Sequence, residues 1–125
     1  DADIKLSFGK NSHGKPQTYL IHCAHGTVSS KRIGPIMNAL EDMSMNQFAD
    51  VYIMGHAHHR GAYKPRFGLP DLHNNNMQLV EQTMVACSGW LDYGGYARRR
   101  QLKPQAIGSV QIILWAKEKL VQAVI

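Results

Sequence analysis

Residues 49–60 read Ala49-Asp50-Val51-Tyr52-Ile53-Met54-Gly55-His56-Ala57-His58-His59-Arg60. A short apolar run, rich in β-branched and aromatic side chains, leads directly into a glycine and three imidazoles. Such a run is the pattern of a strand buried on both faces. Its carboxyl end is where an open α/β sheet places ligands, and that is where the histidines stand.

The preceding sequence gives this strand a partner. Residues 18–24 form a second strand-like run that ends in His25-Gly26. Between the two, Ile33, Ile36, Met37, Leu40 and Met43 recur at helical spacing. They predict a helix over about residues 31–46, with Ser29 and Ser30 as candidate N-caps and Pro35 tolerated in the first turn. Strand, helix and strand make a βαβ unit, whose right-handed crossover sets the strands parallel. His25 and His56 then end neighbouring strands at one edge of the sheet.

The other elements follow from shorter signals. Residues 4–8 alternate apolar and polar, and with the Gly/Asn/Ser/Pro-rich segment 9–16 they predict a hairpin with residues 18–24. Residues 60–76 read as loop, with a short strand near 61–66. Residues 77–88 read as one strand alternating through Leu79, Glu81, Thr83, Val85 and Cys87. Residues 90–104 are irregular and basic. The chain closes in an antiparallel hairpin, residues 108–115 and 120–125.

A chain of 125 residues holds a single domain with a modest core. Its net charge of +5 favours anionic partners, phosphorylated substrates or nucleic acid. No apolar run is long enough to span a membrane and no basic-then-apolar leader opens the sequence, so a cytoplasmic protein is expected. Cys23 and Cys87 sit inside apolar segments without a nearby Cys-x-x-Cys partner. They read as free thiols of a reducing compartment.

Seven histidines carry the chemistry. His56 and His58 stand two apart, which in extended backbone directs both to one side, and Gly55 is expected to let the chain turn beneath them. With His25 they form a candidate metal-ligand set, because neutral imidazole suits first-row divalent cations. His59 and Arg60 are the candidates to face a substrate. His22 reads as a satisfied core histidine, His13 and His73 as exposed loop residues. A histidine-triad hydrolase is excluded by Arg60, where a third histidine is needed. A cupin is excluded by the lack of a nearby glutamate before Glu81, and a Ser-His-Asp hydrolase by the lack of a Gly-x-Ser-x-Gly elbow.

Gly55-His56-Ala57-His58 after its strand resembles the last signature block of calcineurin-like metallophosphoesterases, and His25-Gly26 resembles the block before it. Ser88-Gly89-Trp90, Gly95-Tyr96-Ala97 and the closing hairpin from Gly108 are similar to phage-type members of that family. The resemblance runs over nearly the whole chain. It implies half of a four-layer α-β-β-α sandwich, a partial domain over residues 1–125 equivalent to the C-terminal half. It also implies two divalent metal ions (Mn, Fe, Zn or Ni), with His25 and His56 on one and His58 on the other, and hydrolysis of phosphomonoesters or phosphodiesters by a metal-activated hydroxide.

The family's earlier blocks, Asp-x-His, Gly-Asp and Gly-Asn-His, supply a bridging carboxylate, an asparagine ligand and a general-acid histidine. Gly-Asp and Gly-Asn-His do not occur here, and the one Asp-x-His, Asp71-Leu72-His73, lies downstream in a Pro/Asn-rich segment. The expectation is therefore a hydrolase fragment, inactive alone, whose metal site is partial or empty. The alternative is a non-catalytic module. It would bind nucleic acid through Arg98 to Arg100 with Tyr93 and Tyr96, complement a separate N-terminal half, or self-associate through a sheet edge.

Overall fold

The computed structural model describes residues 1–26, 32–56, 59–88 and 109–125. Strand β1 (Ala2–Lys10) pairs antiparallel with β2 (Pro16–Ala24), Ile4 facing Ile21 and Leu6 facing Tyr19. Their turn is held by Asn11, whose Oδ1 accepts the His13 and Lys15 amides at 2.9 and 3.1 Å.

Helix α1 (Gly34–Asn46) follows, then β3 (Val51–Met54), which lies parallel to β2 in the register Ile21–Val51 through Ala24–Met54. The βαβ unit is thus present, with its strands parallel. Strands β4 (Gly61–Tyr63), β5 (Arg66–Asp71), β6 (Asn76–Glu81) and β7 (Thr83–Ala86) come next, then β8 (Gln111–Leu114) and β9 (Val121–Val124). Five strands form a mixed sheet in the order β1-β2-β3-β7-β4, while β5–β6 and β8–β9 form separate two-stranded ribbons.

Strand alternation distributes side chains to two cores. On one face Tyr52, Met54, Met84 and Ala86 pack against Ile36 and Leu40 of α1. On the other, Ile21, Val51 and Val85 pack against Ile112, Leu114, Val121 and Ala123 of the β8–β9 hairpin. The sheet is therefore sandwiched between a helix and a hairpin. The hairpin is pinned at its turn by the buried Tyr19 hydroxyl, which donates to the Trp115 carbonyl at 2.6 Å and accepts the Leu120 amide at 3.0 Å. Lys119 adds an ion pair with the buried Asp50 at 3.3 Å, and Asp50 also accepts the Leu20 amide at 2.8 Å.

Several boundaries differ from expectation. The helix begins at Gly34 rather than near residue 31, with Pro35 in its first turn and Ile33 at the N-cap without a side-chain cap. Ser29 and Ser30 lie outside the described residues. The segment expected to be loop contains β4 and the first strand of the β5–β6 ribbon. Pro70 is accommodated because it sits in a two-stranded ribbon, where an edge strand does not need every amide. The single strand expected over 77–88 is two, broken at Gln82. That side chain is buried and donates to the Ala49 carbonyl and the Tyr52 hydroxyl, both at 3.1 Å, and past it the chain leaves β5 as partner and joins β3. The fold class is α/β, with a mixed sheet, one helix in a βαβ crossover and a C-terminal hairpin.

Candidate functional site

The parallel β2–β3 ladder continues one step past the strands. The Gly55 amide donates to the Ala24 carbonyl at 3.0 Å, and the Cys87 amide to the Met54 carbonyl at 3.0 Å. Three strand ends are thereby held level, and His25 and His56 follow directly from two of them. Their ring centroids are 4.7 Å apart with the planes inclined at 43°. The juxtaposition expected from the βαβ topology is in place.

Local backbone geometry differs from the expectation that Gly55 makes the turn. The left-handed residues are Gly26, at φ +81°, and His56 itself, at φ +63°. A Cβ at Gly26 would stand 2.7 Å from Met54 Cγ and 3.1 Å from the Gly55 carbonyl oxygen, whereas at Gly55 it would meet only the His25 carbonyl oxygen, at 3.7 Å. Glycine is therefore required at 26 by both conformation and space. A histidine in the left-handed region is uncommon and costs on the order of 1 kcal/mol, a strain that concentrates at ligand sites. The His25-Gly26 dipeptide carried the signal for this, since glycine after a strand-end histidine marks a backbone that must turn tightly.

His58 lies outside the described residues. His59 is buried, 6% exposed, so it has little surface to offer a substrate, and Arg60 is half-buried beside Gly61. Arg60 lines a depression with Ile33, Met37, Tyr63 and Ile125. Residues 98–100 of the basic segment are also outside the described residues.

His22 is not simply a core histidine. Its Nδ1 lies 2.7 Å from Asp3 Oδ1, in cross-strand register, and Gln47 Nε2 donates to the same oxygen at 2.6 Å. The hydrogen bond with His22 is the main reason Asp3 ionises below the usual carboxylate range, aided by Gln47 and opposed by desolvation. Nothing local in the sequence marks this pair, because 19 residues separate its members and only the hairpin register joins them.

Asp71-Leu72-His73 forms the turn of the β5–β6 ribbon. Asp71 accepts the His73 amide at 3.1 Å and the Asn74 side-chain amide at 2.8 Å, so its carboxylate is engaged in holding a turn. Cys23 and Cys87 are free and half-buried rather than fully buried. Burial, and secondarily the neighbouring Cys23, pushes the Cys87 thiol up from its ordinary value.

Among the described residues no three His, Cys, Asp or Glu side chains converge. His25 and His56 fit a metal as a partial set. Two neutral nitrogen donors at this ring separation suit one first-row cation with metal–nitrogen distances of about 2.0–2.1 Å. No family model, curated protein or solved structure matches the chain.

Proposed function

We propose that the chain carries part of a dinuclear metallophosphoesterase centre, and that hydrolysis of a phosphomonoester or phosphodiester belongs to the completed site. The observation that supports this reading is the His25–His56 pair, 4.7 Å between ring centroids at the carboxyl ends of adjacent parallel strands. His25 and His56 hold one cation and His58 contributes to the second. The architecture this implies is the four-layer α-β-β-α sandwich, in which α1, the five-stranded sheet and the β8–β9 hairpin belong to successive layers. Divalent ions at such a site supply Lewis-acid activation of water and stabilise charge on phosphorus. This chain's own share is to position two imidazoles by strand pairing and by the tight backbone at Gly26 and His56.

Imidazoles without a carboxylate hold a cation weakly, because nothing neutralises its charge and no oxygen bridges two ions. The purified chain is therefore expected to bind Mn²⁺ or Ni²⁺ weakly and to show little or no turnover of a chromogenic phosphodiester. Calorimetric titration of the chain and of His25→Ala, His56→Ala and the loop control His13→Ala tests this. Loss of affinity by at least about tenfold in the first two, with His13→Ala unchanged, is expected. Unchanged affinity in His25→Ala and His56→Ala would sink the metal reading, and clear Mn²⁺-stimulated turnover by the chain would sink the partial-site reading.

A further inference from the structure

The β5–β6 ribbon is not explained by the metal site. Its strands pair with each other and pack little against any other strand or helix. Apolar side chains are exposed on both faces: Leu69 at 50%, Met77 at 67% and Leu79 at 61%, with Leu72 at the tip 89% exposed. A two-stranded ribbon is at best marginally stable in water by itself, and a soluble monomer rarely leaves so much contiguous apolar surface uncovered.

At the base of the ribbon lies a cleft of about 480 Å³, lined by Met45, Phe48, Arg66, Phe67 and Met84. Phe48 and Phe67 form its aromatic wall, edge to face with centroids 6.4 Å apart. The cleft is apolar and open, and Leu72 is an apolar knob of fitting size. The knob cannot reach its own cleft. Phe67 and Leu72 are five residues apart along an extended strand, roughly 17 Å at about 3.3 Å per residue.

We infer that the β5–β6 ribbon is a self-association arm, two copies laying their ribbons antiparallel so that Leu72 of each enters the cleft at the base of the other. An antiparallel overlap of two equal ribbons brings each tip level with the other's base. The same span that keeps Leu72 from its own cleft therefore delivers it to the second copy's. The contact is isologous and closes as a dimer rather than a filament. Charge agrees with this direction. Asp71, held anionic by its hydrogen bond from Asn74, stands at the tip, and Arg66 stands at the base, so each carboxylate meets the other copy's guanidinium. Glu41, on the helix side of the cleft, leaves Arg66 as the cation facing the incoming tip.

Sedimentation velocity over a concentration series on the 125-residue chain tests the inference. A reversible dimer is expected. Leu72→Lys should weaken it roughly tenfold or more, since a buried leucine is lost and a charge is placed in an apolar cleft. Because Leu72 is at an exposed turn, its far-UV circular dichroism should match the parent. A Leu72→Cys/Phe48→Cys double variant should form a disulfide-linked dimer on mild oxidation, and neither single variant should. A chain that is monomeric throughout the series would overturn the inference. So would a dimer untouched by Leu72→Lys, or one abolished instead by Leu6→Lys on the exposed β1 edge.

Discussion

Replacing Gly26 with alanine tests the geometry that brings His25 and His56 together. Two costs add. The left-handed φ of +81° disfavours any side chain by about 1–2 kcal/mol. The new Cβ also stands 2.7 Å from Met54 Cγ and 3.1 Å from the Gly55 carbonyl oxygen. Met54 is buried in the helix-side core and the carbonyl belongs to the strand end, so neither yields freely, and overpacking of this kind costs about 1–3 kcal/mol. Alanine returns about 0.4–1 kcal/mol by restricting the unfolded chain. The balance is a loss of about 2–4 kcal/mol, a drop in urea midpoint of roughly 1–2 M for a domain of this size. Gly9→Ala is the conformational control: φ is +79° but nothing lies within 4 Å of its Cβ, so it should lose only about 0.5–1 kcal/mol. Gly55→Ala is the positional control. Its φ is not left-handed and its Cβ meets one oxygen at ordinary contact distance, so its midpoint should stay within about 0.5 kcal/mol of the parent. Urea denaturation followed by tryptophan fluorescence ranks the three. If Gly55→Ala proved as damaging as Gly26→Ala, the assignment of the tight turn to Gly26 and His56 would be refuted.

Tyr19→Phe should destabilise by about 1–3 kcal/mol in the same assay, because the Trp115 carbonyl and Leu120 amide lose a buried partner; a neutral result would mean the hairpin is not pinned there. Asp3 ionises below the usual range in the folded chain, so its contribution is present above the ordinary carboxylate pKa of about 3.9 and is lost as pH falls through the depressed value. Asp3→Asn should accordingly flatten the acid limb of stability measured between pH 5 and pH 2, and an identical limb would count against the His22 contact. The raised Cys87 thiol should react with a disulfide reagent at neutral pH more slowly than a free thiol; reaction at the free-thiol rate in folded protein would contradict its burial.

Recognition of the βαβ unit rested on local signals that survive without tertiary context. Val51 to Met54 are apolar on both faces because a central strand has cover on both sides, and Ile36 and Leu40 recur at helical spacing because α1 has one buried face. Those patterns also predict that His25 and His56 meet, since a parallel crossover leaves no other arrangement of the strand ends. The β5–β6 ribbon was not legible. Its Pro70, Gly68 and Asn74–Asn76 composition matches loop, and only cross-strand pairing makes it strand. Gln82 likewise sits inside an unbroken alternation, and only its buried hydrogen bonds to Ala49 and Tyr52 show where one strand stops and the next begins.

The amino-acid sequence by itself determined which residues can ligate, the order of strand, helix and strand, and the edge of the sheet where histidines gather. Hydrophobic period and residue chemistry are properties of short segments, so these features do not wait for the fold. Only the tertiary structure decided that Gly26 and His56, rather than Gly55, take the left-handed backbone, that His22 is paired with Asp3, and that Leu72 crowns an exposed arm. Each of these depends on atoms distant in sequence brought within a few ångströms, by a β-ladder register in the first two and by the departure of a ribbon from the sheet in the third.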